Sequence, residues 1–102
     1  MVKIAVDAMG GDYAPSEMVA GAVDAVNSVP GIHVFLVGKE EVVNSQLSRH
    51  TYDKGRIEVL NAGEEIATEE PPVNAIRKKK DSSIVVGMNL VKKGQADAFV
   101  SA

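Results

Sequence analysis

Apolar residues along this chain change period several times, and each change marks an element. KIAVDAM (3–9) is a compact apolar run that ends at a glycine pair, the pattern of a buried strand. From Pro15 onward Met18, Val19, Ala22, Val23 and Val26 recur every three or four positions, which predicts one buried helical face. Pro15 suits the first helical turn, Glu17 suits the positive end of the helix dipole, and Pro30–Gly31 stops the helix. IHVFLVG (32–38) is β-branched and aromatic and reads as a second strand. A weaker helix follows over 39–49, with Val42, Val43 and Leu47 as its apolar positions.

RIEVLNAG (56–63) alternates Ile57 and Val59 against Arg56 and Glu58, as a third strand does. After the loop EEIATEEPP, a short helix is expected over 73–80. A longer one is expected over 82–93 with Ile84, Val85, Met88 and Val91 inward. ADAFVSA (96–102) reads as a fourth strand. Strands separated by ten or more helical residues imply right-handed crossovers and a parallel sheet covered on both faces. The expected class is α/β, as one continuous unit without internal repeats. Ligands of such sheets bind beyond the carboxyl ends of the strands. The chain stops at such an end, so residues 1–102 are expected to be the first part of a larger α/β domain.

Composition narrows the function classes. With 45% hydrophobic and 25% charged residues the chain is an ordinary globular one, and no apolar run approaches membrane-span length. MVKIAVDAM lacks a cleavage site, so a secretory signal is not expected and the cytoplasm is the default. The absence of cysteine excludes disulfides, thiolate metal sites and Cys nucleophiles. A net charge of −3 argues against a dedicated nucleic-acid binder.

Yet RKKKDSS (77–83) holds four of the 11 cations, and without them the balance would be seven against 14 acids. Four successive helical positions cannot share one face, but two or three can converge on one ligand. Asp81, Ser82 or Ser83 can cap the following helix, whose free N–H groups bind anions. Arg77 can grip two phosphate oxygens in a fork. The run is therefore either a phosphate site or a solvated charge run balanced by the EE pairs at 64–65 and 69–70.

DAMGGDYAP (7–15) joins the first strand to the first helix. Gly10 and Gly11 allow positive φ and close approach of a ligand, or serve only a tight turn. The stretch matches neither a dinucleotide fingerprint nor a phosphate loop. Asp7 and Asp12 oppose direct contact with an anion; they suit hydrogen bonds from hydroxyls or amides, or the orientation of nearby cations. A metal site built from these two carboxylates is the weaker alternative, because no His or third acid stands at ligand spacing; no metal and no cofactor is expected. His33 and His50 are expected to be structural or exposed.

VDAMGGDYAP, EEPPVNAIRKKKDSS and ADAFVSA, in that order, resemble the phosphate acyltransferases of bacterial phospholipid synthesis, the PlsX family. The resemblance runs over all 102 residues, with Thr68 where methionine is common and Pro71 doubling a usual single proline. It implies a three-layer α/β/α sandwich with a mainly parallel sheet, like the isocitrate and isopropylmalate dehydrogenases. Family members continue past the serine-alanine pair into a glycine-containing loop. The implied reaction is attack of inorganic phosphate on the thioester of an acyl group carried by acyl carrier protein. The implied protein is a cytoplasmic homodimer, peripherally bound to the membrane through a region outside these residues.

Given that resemblance, Arg77, Lys78, Lys79 and Lys80 with Asp81, Ser82 and Ser83 are the phosphate candidates. Asp7, Asp12, Arg77 and Lys80 are the catalytic candidates. Gly10 and Gly11 are candidates for approach of the carbonyl or pantetheine, and Ser101 for the lip of the site. Two alternatives stay open: a phosphotransacetylase acting on acyl-CoA, and a non-catalytic module for phosphorylated ligands.

Overall fold

The fold is described from a computed structural model, over residues 1–10, 14–62 and 83–101. Four strands, β1 (Val2–Asp7), β2 (Ile32–Gly38), β3 (Ile57–Asn61) and β4 (Ala98–Val100), form one sheet in the order β3-β2-β1-β4. Every pairing is parallel. Among the described residues the helices are α1 (Ser16–Ser28), α2 (Glu40–Leu47) and α3 (Ser83–Lys92). The helix expected over 73–80 lies outside the described residues.

Alternation along each strand sends two different sets of side chains to the two faces. Val34 and Leu36 of β2 pack with Val19, Ala22, Val23 and Val26 of α1 and with Val43 and Leu47 of α2. Ala5, Phe35 and Val37 point the other way and pack with Val86 and Leu90 of α3 and with Phe99 of β4. The result is an α/β/α sandwich with α1 and α2 on one face and α3 on the opposite one. Each fully buried aliphatic side chain contributes about 1.5–3 kcal/mol relative to exposure, so the α1–α2 face supplies much of the apolar burial.

Local signals set the ends of these elements. Pro15 stands just before the first helical residue of α1, with Glu17 in the first turn, and the Val29 amide closes the helix on Ala25 O. Asn61, one residue past the buried part of β3, accepts the Glu40 amide at 3.1 Å and so satisfies a free donor at the start of α2. The Arg56 guanidinium donates to Ile32 O at 3.0 Å and Val29 O at 2.6 Å, tying the approach to β3 onto the turn before β2. At the end of α3, Gly94 has φ +76°, its amide reaches Val91 O, and the Gln95 amide reaches Leu90 O. This pair of bonds is a Schellman stop, with Gly94 in the left-handed position.

Two expected faces differ from the observed ones. Val42 is 39% exposed, while Val43 and Leu47 hold α2 to the sheet. On α3, Met88 and Val91 face outward, at 48% and 37% exposed, and Ser83, Val86, Gly87 and Leu90 face the sheet. The reason is Phe99. A Cβ on Gly87 would fall 2.2 Å from the Phe99 ring, so the ring occupies the place of a side chain there. A glycine carries no apolar signal, and the helix is turned accordingly.

Candidate functional site

Strand order fixes where the site stands. From β1 the chain steps to β2 and β3 on one side, and then β4 returns to the other side of β1. The carboxyl ends of β1 and β4 are therefore the point at which the strand order reverses, the place where ligands of open parallel sheets bind. Val6 pairs with Val100 across the two strands, and the next residues along are Asp7 and Ser101.

At this point three segments meet. The Ser83 hydroxyl, on the first residue of α3, donates to Asp7 Oδ1 at 2.6 Å. The Ser101 hydroxyl donates to Asp7 Oδ2 at 2.9 Å. The Met9 amide donates to Asp7 Oδ1 at 3.0 Å. Asp7 is 3% exposed and Ser83 4%, and they are the buried polar side chains among the described residues. Hydrogen bonds to a charged group are worth about 1.5–3 kcal/mol each, and a buried carboxylate stripped of its donors costs about 3–5 kcal/mol. The arrangement is stable because every donor is present. No buried side-chain nitrogen or oxygen among the described residues lacks a partner.

Gly10 belongs to the same cluster. A Cβ there would lie 2.9 Å from Asp7 Oδ2 and 3.2 Å from Ser101 Oγ. Its φ is outside the left-handed region, which among the described residues only Gly31 and Gly94 enter. The requirement for glycine at position 10 is thus space rather than backbone conformation. Of the two freedoms a glycine offers, position 10 uses close approach and not positive φ.

Of the residues singled out in the sequence, Asp7, Gly10, Ser83 and Ser101 come together in one cluster although 94 positions separate the first from the last. Gly11, Asp12, Arg77, Lys78, Lys79, Lys80, Asp81 and Ser82 lie outside the described residues. Asp7 does accept from hydroxyls and an amide, as its surroundings in the sequence suggest. The Ser83 hydroxyl, at the first residue of its helix, donates across to Asp7 of β1. The Met9 amide had no sequence signal, since any residue supplies an N–H. His33 sits on β2 with its ring edge-on to Phe35 and Nε2 3.8 Å from Glu58 of β3, far along the sheet from the rim.

Comparison with known proteins gives a consistent set. The family model described as "Fatty acid synthesis protein" matches residues 2–102. The chain is 52% identical over 102 residues to the "Phosphate acyltransferase" of Desulforamulus reducens, covering 100% of this chain and 30% of that one. Against the protein of the same name from Clostridium tetani it is 52% identical over 101 residues, covering 99% and 30%. Against that from Syntrophomonas wolfei it is 53% identical over 100 residues, covering 98% and 31%. The chain therefore spans about a third of the length of these relatives.

Proposed function

Because the chain belongs to the fatty acid synthesis protein family, we propose that it is part of an enzyme transferring a fatty acyl group from acyl carrier protein to inorganic phosphate. The observation that carries this reading is the convergence of Asp7, Gly10, Ser83 and Ser101 at the β1–β4 switch point. Ser83 closes the run RKKKDSS, so its anchorage to Asp7 sets where that run ends.

In the proposed reaction a phosphate oxygen attacks the thioester carbonyl carbon. The carbon–sulfur bond breaks, the pantetheine sulfur leaves as thiolate and takes up a proton, and acyl phosphate forms. Phosphate is already an anionic nucleophile, so the reaction needs no covalent enzyme intermediate and no cysteine. Positioning the anion in line with the carbonyl can supply up to about 11 kcal/mol. Each donor to the developing oxyanion is worth about 3–4 kcal/mol. Arg77 with Lys78, Lys79 and Lys80 holds the phosphate oxygens, and Ser82 adds a hydroxyl. Asp12 and Asp81 orient the cations. The Gly10–Gly11 turn lets the thioester approach the backbone.

In that role the complete protein is a cytoplasmic homodimer that receives the acyl chain from the carrier protein and associates peripherally with the membrane. Among the described residues no helix is long and apolar enough to cross a bilayer.

The test is phosphate-dependent release of free carrier from acyl carrier protein by the full-length enzyme, with acyl-CoA as the competing donor. Arg77→Ala is expected to lower turnover by about 10- to 100-fold, the worth of a charged hydrogen bond. Asp12→Ala is expected to lower it less. Unchanged turnover in both variants would dismiss the site. Preference for acyl-CoA would make the enzyme a phosphotransacetylase, and phosphate binding without transfer would make it a binding module.

A further inference from the structure

A serine hydroxyl has one proton to donate, and a carboxylate can only accept. Ser83 and Ser101 both direct that proton at Asp7, with Oγ to Oδ distances of 2.6 and 2.9 Å. While those bonds stand, neither hydroxyl has a donor left for a phosphate oxygen. The Asp7 charge beside them also opposes an anion in contact. Both serines are nevertheless at the rim, one at the start of α3 and one at the end of β4. Gly10 closes the same cluster from the β1–α1 loop, with no room for a Cβ.

We propose that Asp7 is a positioning residue: its carboxylate clasps Ser83 and Ser101 so that α3 and the tip of β4 are set against β1. Neither serine hydroxyl touches phosphate. The anion is held by groups other than these two side chains, and Asp7 exchanges no proton with the substrates. The part concerning phosphate rests on the acyl-transfer reading above; the clasp itself does not. What the clasp does for the reaction is geometric. It joins three segments separated by 76 and 94 positions in the chain, so a loosened clasp moves these segments relative to each other. A displacement of about 1 Å at a reacting centre lowers turnover by roughly 100-fold.

Two measurements on the full-length enzyme test this. The first is a double-mutant cycle on the thermal midpoint with Asp7→Ala, Ser83→Ala and the pair together, which needs no turnover. Each single variant is expected to lower the midpoint, and the pair to fall by clearly less than the sum of the two. Strict additivity overturns the clasp. If Asp7→Ala does not fold, Asp7→Asn replaces it, since it keeps one acceptor oxygen.

The second is steady-state kinetics of Ser83→Ala and Ser101→Ala beside Ser83→Thr and Ser101→Thr. The alanine variants are expected to lose about 10-fold or more in kcat, with the phosphate KM within about twofold of the parent. The threonine variants, which keep the hydroxyl, are expected to recover most of the loss. A raised phosphate KM with an unmoved thermal midpoint means that the hydroxyls bind the anion, and overturns the proposal. An unchanged kcat in both alanine variants removes the positioning role. If the parent enzyme transfers no acyl group, the acyl-transfer reading fails while the cycle still decides the clasp.

Discussion

The two faces of the sheet are held by different kinds of force. On the α1–α2 face, Val19, Ala22, Val23 and Val26 meet Val34 and Leu36, and Val43 and Leu47 extend the same apolar layer. No buried polar side chain is described there. The α3 face carries both of those that are, Asp7 and Ser83, together with a glycine–aromatic contact in which Gly87 lies flush on Phe99. Apolar burial is non-directional and tolerates substitutions that conserve volume. Hydrogen bonds to a buried carboxylate and a helix pressed onto a ring do not. The Asp7 cluster is built on the face that has one geometry, and the other face supplies bulk stability to hold it.

Leu36 gives the strongest way to break that contrast. It is 0% exposed at the centre of the apolar layer. Leu36→Ala is expected to lower the unfolding free energy of the protein by about 2–5 kcal/mol in urea titration, as the lost transfer energy and the cavity add. Leu36→Met is expected to restore most of it, at a cost under about 1.5 kcal/mol. A full loss in Leu36→Met would mean that this face is as exacting as the other.

Gly87 comes next and probes the opposite face. In an exposed helix alanine would be better than glycine by about 1 kcal/mol. Here the added methyl would stand 2.2 Å from Phe99 Cε1 and 2.5 Å from Cδ1. Gly87→Ala is therefore expected to reverse the sign and destabilise by about 1–3 kcal/mol, measured by thermal or urea unfolding. Phe99→Leu in the same chain is expected to relieve part of the loss. Stabilisation by Gly87→Ala alone would show that α3 is not seated on the ring.

These two positions also show what a sequence can carry. The bounds of β2 and the buried stripe of α1 follow from local periodicity, because each residue there is placed by neighbours two, three or four positions away. The inward face of α3 does not. Ile84, Val85, Met88 and Val91 form the apolar stripe by spacing, but Ser83, Val86, Gly87 and Leu90 form the contact face. What turns the helix is a ring from β4 and a carboxylate from β1, neither of them local. The candidate site divides in the same way. The motifs in residues 7–15 and 77–83 each supply members of the cluster, Asp7 and Gly10 from the first and Ser83 from the second, and the capacity of Asp7 for hydroxyl and amide donors can be read from its type. That both donors of hydroxyl would be Ser83 and Ser101 cannot, since no period links positions 76 and 94 apart. Gly10 invites a reading by φ, and only the packed cluster reveals that the missing Cβ is the point.

Gly94 sharpens the comparison at the end of α3. With φ +76° it stands in the left-handed region, where an L side chain costs roughly 1–2 kcal/mol. Gly94→Ala is expected to destabilise by about 1 kcal/mol in thermal unfolding, and Gly94→Asn by less, because asparagine tolerates that conformation. Equal losses in the two variants would point to the bonds from Gly94 and Gln95 to Val91 and Leu90 as the limiting factor, rather than φ.

The smallest effect is expected on the tolerant face, at adjacent positions of α2. Val42 is 39% exposed and Val43 is 0% exposed, so the helix turns one valine to the outside and buries the next. Val42→Gln removes a β-branched residue from a helix surface and adds a better helix former. It is expected to shift stability by no more than about 0.5 kcal/mol in either direction. Val43→Gln puts an amide into the layer with Val19, Leu36 and Leu47 without partners, and is expected to lower stability by at least about 1–3 kcal/mol. Urea titration of both variants reads the difference directly. Should Val42→Gln prove the more damaging, α2 would be rotated by about 100°, and the apolar face would no longer be the layer that Val43 and Leu47 complete.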